Sequence, residues 1–218
     1  PLSRYMLPPD LDNHKGDDKD SSAKIPLFAK ETAPLWWMGF GMLGGLIAEG
    51  SASDWGALLL RDDMGIGKGV NASAYASFAL AMITARFLGD RALDHFGPAR
   101  LVRICGYFGA LGWGASIAIA VPLSESNPLI ALIVINLGFV IAGLAIGPMF
   151  PAFILAASAI PGIAPSVSSA RAFVIGLSGF FIGPSIIGFL AEGTSISMAM
   201  AFPILALFVA GFLSRVIK

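Results

Sequence analysis

A charged stretch opens the chain, and six long apolar segments joined by short polar connectors follow it. A bilayer core about 30 Å thick is crossed by about 20 helical residues. The apolar runs at 35–60, 72–88, 101–121, 129–157, 165–190 and 196–217 reach or approach that length. The pattern predicts an all-α membrane protein with six transmembrane helices over residues 35–218. Short connectors make consecutive helices antiparallel neighbours. Pro122 is expected to end the third span. Pro148 and Pro151 should kink the fourth and Pro184 the fifth, since proline removes a backbone donor.

Residues 1–34 break the pattern. Their central segment, NHKGDDKDSSAK, holds Lys15, Asp17, Asp18, Lys19, Asp20 and Lys24 with almost nothing apolar. Such a segment buries too little surface to offset the entropy of ordering, and it reads as a flexible linker. The chain begins at Pro1, which reads as a piece of a longer chain or a processed start.

Composition agrees with the pattern. Hydrophobic residues make up 56% and charged residues 13% of 218, where soluble domains carry about a quarter charged. Net charge is zero and no basic run is long enough for nucleic acid. Cys105 is the one cysteine, so neither an internal disulfide nor a cysteine metal framework is available.

Lysine and arginine set the orientation. With the amino-terminal tail inside, Arg4, Lys15, Lys19, Lys24, Lys30, Arg86, Arg91, Arg100, Arg103, Arg171, Arg215 and Lys218 fall at inner ends. Arg61 and Lys68 fall outside, beside Asp62 and Asp63. The other outer loops carry Glu125 and Glu192 without positive charge. The positive-inside rule then places both termini in the cytoplasm, and the membrane expected is a bacterial inner membrane.

The glycine pairs Gly41/Gly45, Gly143/Gly147 and Gly179/Gly183 have the small-xxx-small spacing that lets membrane helices approach closely. Gly176-Leu177-Ser178-Gly179 has the form of a membrane serine-protease motif. A nucleophilic serine needs a base within reach, yet His14 and His95 both lie outside the spans. That argues against an enzyme and against haem, di-iron or zinc sites in the membrane. No phosphate-cradling G-x-x-x-x-G-K-[ST] occurs, so no nucleotide drive is encoded and no cofactor is expected.

The connector between the second and third spans carries the most specific motif. Arg86-Phe87-Leu88-Gly89-Asp90-Arg91, followed by Phe96-Gly97-Pro98-Ala99-Arg100, resembles the signature loop of the major facilitator superfamily, roughly G-x-L-a-D-R-x-G-R-R. Leu88, Asp90, Arg91, Gly97 and Arg100 match; Arg86 stands where the family's first glycine is expected, and ALDHF lengthens the turn. The resemblance implies a major-facilitator-like half bundle, with residues 1–34 as the end of the inter-half linker and the spans as helices seven to twelve. EGSASDWGALLLRD is similar to the seventh helix of a sugar-permease-like branch. The implied function is the carboxy-terminal half of a secondary transporter moving a small solute, such as a sugar. Its partner would be the missing amino-terminal six-helix half or a second copy. A non-transporting membrane scaffold is the alternative.

The signature residues Arg86, Gly89, Asp90, Arg91, Gly97 and Arg100 are implied to gate, with Asp90 pairing locally with Arg86, Arg91 or Arg100. Arg171, about 9 Å inside the fifth span, is implied to meet the signature loop of the other half. Glu49 lies about 21 Å beyond Leu35, deep enough that it should face the bundle interior or a wet cavity. It is a candidate to carry a proton or bind solute, whereas Asp54 and Trp55 fit the outer interface. Asn136 and Tyr107 are polar side chains within spans, candidates either for the solute path or for interhelical hydrogen bonding.

Overall fold

The computed structural model describes residues 32–217, so the linker expected over 1–34 lies almost wholly outside the described residues, as does Lys218. Every regular element described is helical. Helix α1 spans Ala33–Leu58 and ends in a π-helical turn, Leu59–Asp63. After a loop and a 3-10 turn at Val70–Ala72 come α2 (Ser73–Phe96), α3 (Pro98–Ser126), α4 (Pro128–Ile146) and α5 (Met149–Ser158). Helix α6 (Pro165–Gly193), the short α7 (Ile196–Ala199), α8 (Ala201–Leu213) and a 3-10 turn at Ser214–Val216 complete the bundle.

Among the described residues, five segments are long and apolar enough to cross a membrane: Val70–Phe96, Pro98–Ser126, Pro128–Ser158, Pro165–Gly193 and Ile196–Val216. That is one fewer than expected. The shortfall is α1, which at 26 residues has the length but not the apolarity. Glu49, Asp54 and the glycines dilute it, and neighbouring helices shield most of its surface. The rest of the surface is that of a protein solvated by lipid: Phe87, Phe181 and Phe189 are 83%, 75% and 77% exposed, a pattern soluble monomers avoid. The chain is an all-α membrane protein.

Three boundaries differ from expectation. The second helix does not stop near residue 88 but runs to Phe96, so Gly89, Asp90, Arg91 and the ALDHF insertion are helical. The turn shrinks to Gly97, whose φ of 71° and ψ of 159° suit glycine, with Pro98 opening α3. Pro122 does not end α3, which continues to Ser126. Pro122 cannot donate to the Ala118 carbonyl one turn back, yet the helix runs on for another turn, where Ser124 and Ser126 donate hydroxyls to the carbonyls of Val121 and Leu123. The fourth span is broken, not merely kinked, at Gly147 and Pro148. Pro151 falls in the first turn of α5, where its missing donor is not needed. By contrast α6 passes through Pro184 as one helix.

Packing joins α1 to α6 and α8, α3 to α4 and α8, and α2 to α4. Glycine makes the closest approaches possible. A Cβ on Gly44 would fall 2.5 Å from the Ala206 carbonyl oxygen, and one on Gly179 2.7 Å from that of Leu43. Gly143 and Gly147 sit against the carbonyls of Phe78 and Met82 on α2. Of the three predicted pairs, Gly41/Gly45 differs: Gly41 meets the Phe153 ring, while Gly45 faces open space. Polar contacts pin the ends. Asn71 donates to the Ala57 carbonyl, Arg103 to Ser214, and the Ser197 N–H to Asp63.

Candidate functional site: a four-walled cleft at Glu49 and Arg86

The charge deepest in α1 finds its partner on α2. Arg86 Nη2 donates to Glu49 Oε1 at 3.0 Å. Helix direction brings them together. Counting from the Asn71–Ala57 contact, Glu49 lies about 12 Å along α1 and Arg86 about 22 Å along α2 at ~1.5 Å per residue. Side chains lean toward the start of their own helix. In antiparallel neighbours, Glu49 and Arg86 therefore lean toward each other and close that offset.

The pair lines a cleft of about 500 Å³ with four walls. Helix α1 contributes Leu46 and Glu49, and α2 contributes Arg86, Gly89 and Asp90. Helix α5 supplies Phe150 and Pro151. Along α6, Phe173, Leu177 and Phe180 recur at the four- and three-residue steps that put side chains on one face. Glu49 is only 13% exposed, whereas Arg86 is 47% exposed and opens into the cleft. Phe150 and Phe173 meet edge to face, with centroids 5.9 Å apart at 80°.

Other predicted residues are distributed differently. Asp90 lines the cleft yet makes no ion pair with a described residue; the expected local pairing with Arg86 is replaced by Glu49. Arg91 is exposed, and Arg100 lies 5.8 Å over the Phe96 ring. Arg171 lines a separate apolar pocket of about 320 Å³ with Leu35 and Trp36. Asn136 is engaged between helices: it donates to Ser73 Oγ and the Leu132 carbonyl and accepts from Ser77. The Tyr107 ring packs on Phe208 at 4.8 Å, away from the cleft. Ser178 donates to the Ile175 carbonyl at 2.6 Å, a helix back-bond. Away from the bilayer, the Arg61 hydrogen bond and charge hold the Asp62 carboxyl below the usual carboxylate range.

The sequence singles out Glu49 and the α2 residues that line this cleft, whereas Phe150, Phe173 and Phe180 carry no such signal. Lipid-facing and cleft-facing phenylalanines look alike in an apolar run. Opposite charges set within adjacent antiparallel helices cost least when paired, which is the signal that could have joined Glu49 to Arg86. A larger groove of about 680 Å³ between α3 and α8 has Ser197 as its polar member and no charge.

Relatives fit this architecture. The chain is 29% identical to an uncharacterized MFS-type transporter of Yersinia pestis over 80% of its length. It is 26% identical to membrane protein MosC of Rhizobium meliloti over 92%, and 28% identical to an uncharacterized transporter of Sinorhizobium fredii over 81%. It spans 43%, 46% and 44% of those proteins, less than half of each. No family model matches the chain, and no solved structure does. An integral membrane bundle with a charged, aromatic cleft is the class that fold and site define. Within that class the chain is similar to membrane proteins of which two are named as transporters, one of them of the MFS type, and its extent fits half of such a protein.

Proposed function

We propose that this chain is the carboxy-terminal half of a secondary active transporter that moves a small solute by alternating access, with its cleft forming one wall of the solute path. The observation that carries the reading is the Glu49–Arg86 pair, an acid and a base set within apolar helices and open to a cleft. Charges in such positions are costly and mark solute or ion pathways in membrane proteins. Secondary transporters bind near the midplane between two repeats that rock about the site. The names of two relatives, both transporters, support the same role. The lysine and arginine distribution supports a bacterial inner-membrane protein with both ends of this chain cytoplasmic. The opposite wall is supplied by an amino-terminal six-helix half or by a second copy.

Uptake into cells expressing the chain together with its upstream half tests this. Glu49→Gln should reduce uptake at least tenfold while surface expression holds. Unchanged uptake and unchanged pH dependence would remove Glu49 from the path. Transport by the purified chain as a monomer would contradict the half-transporter assignment.

A further inference from the structure

The balance of charge and aromatic surface in the cleft points to a class of solute. Arg86 commits one N–H to Glu49 in a single-contact pair, so guanidinium and carboxylate offset each other. Asp90 lies one turn further along α2, lines the same cleft and has no described ion-pair partner. The wall therefore carries one negative charge in excess. Facing it are three phenyl rings, two of them perpendicular to one another. Among the described residues, cations sit over the rings of Phe96 and Phe212, not over those of the cleft. The cleft rings thus offer π surface with no protein cation on it.

An ammonium group is attracted to a phenyl face by the ring quadrupole, and more strongly where water is excluded. A carboxylate or phosphate solute would meet the excess negative charge. A bare metal ion would require a shell of oxygen ligands, and no group of three or more His, Cys, Asp or Glu among the described residues could hold one. Resting on the reading of this cleft as the solute-facing wall, we infer that the solute is an organic cation. It is an amine or quaternary ammonium with an apolar body, its charge held by Asp90 and its body by Phe150, Phe173 and Phe180.

The test uses the full-length transporter in lipid nanodiscs with Cys105→Ser and Leu177→Cys, labelled by a neutral maleimide. Pro151→Cys, at a partly exposed position lining the same cleft, is the second reporter should Leu177→Cys fail to fold. Three probes are compared: benzyltrimethylammonium, phenylacetate and myo-inositol. Benzyltrimethylammonium should slow labelling at least tenfold at concentrations where the other two do not. Asp90→Asn should weaken that protection at least fivefold, and Asp90→Glu should retain it. Protection by phenylacetate or inositol in place of the ammonium would overturn the cation assignment and leave the solute-path reading standing. Protection by none of them, with the cysteine readily labelled, would also overturn it. The solute-path reading is judged separately, by the uptake of Glu49→Gln.

Discussion

Glu49 and Arg86 are joined by one 3.0 Å contact, but they share it unequally: the carboxylate is 13% exposed and the guanidinium 47%. Removing one member of a buried pair costs more than removing both, because a charge is left uncompensated. Arg86→Gln strands the less exposed carboxylate and should therefore destabilise more than Glu49→Gln, by about 1 kcal/mol, since a half-exposed guanidinium is screened by solvent. The double variant should recover part of that loss. Thermal unfolding of the four proteins in nanodiscs checks the order; equal losses for the two single variants would refute it.

Gly143 and Gly45 are a matched pair for substitution. Gly143→Ala drives a methyl into the Phe78 carbonyl and the side chain of Ala81, whereas Gly45→Ala meets open space. Overpacking costs about 1–3 kcal/mol, so the first variant should melt lower and the second close to the parent. Equal melting temperatures would show that α2 and α4 separate freely.

The Asn136 amide joins α4 to α2 through Ser73 and Ser77. Interhelical hydrogen bonds in membranes are worth about 0.6 kcal/mol each, with a maximum near 1.7. Asn136→Ala should thus cost about 1–2 kcal/mol of stability without changing the apparent KM for solute. A raised KM at equal expression would return Asn136 to the solute path.

Gly97 holds the tight turn between α2 and α3 at φ 71° and ψ 159°. A Cβ meets no neighbour there, so any cost is backbone strain. Such conformations cost about 1–3 kcal/mol for other residues. Gly97→Ala should lower the melting temperature, and Gly97→Asn should not rescue it, because this region is essentially glycine's alone.

The helices were legible because a bilayer imposes a length and a solvent on each apolar run. Their ends were less so. Asp90 and Arg91 read as the end of a span, but charge marks only where lipid stops, and the backbone hydrogen bonds of α2 continue to Phe96. Pro122 misled in the same way, since one missing donor to Ala118 does not stop the helix, whose backbone continues to Ser126. In the cleft, Glu49 was legible from its depth and Arg86 from the motif it departs from. The phenylalanines opposite them were not, because the bundle decides which of many apolar faces turns inward.

The break between α4 and α5 has a mechanical consequence. Pro148 and Pro151 have no amide hydrogen to give, so the carbonyls of Leu144 and Gly147 are not tied to the usual partner one turn on. The segment carrying Phe150 and Pro151 is only ten residues long and begins at this untethered joint. Its place in the bundle is therefore set by packing, with the buried Phe153 ring against Gly41 of α1, and not by an unbroken hydrogen-bond ladder running on from α4.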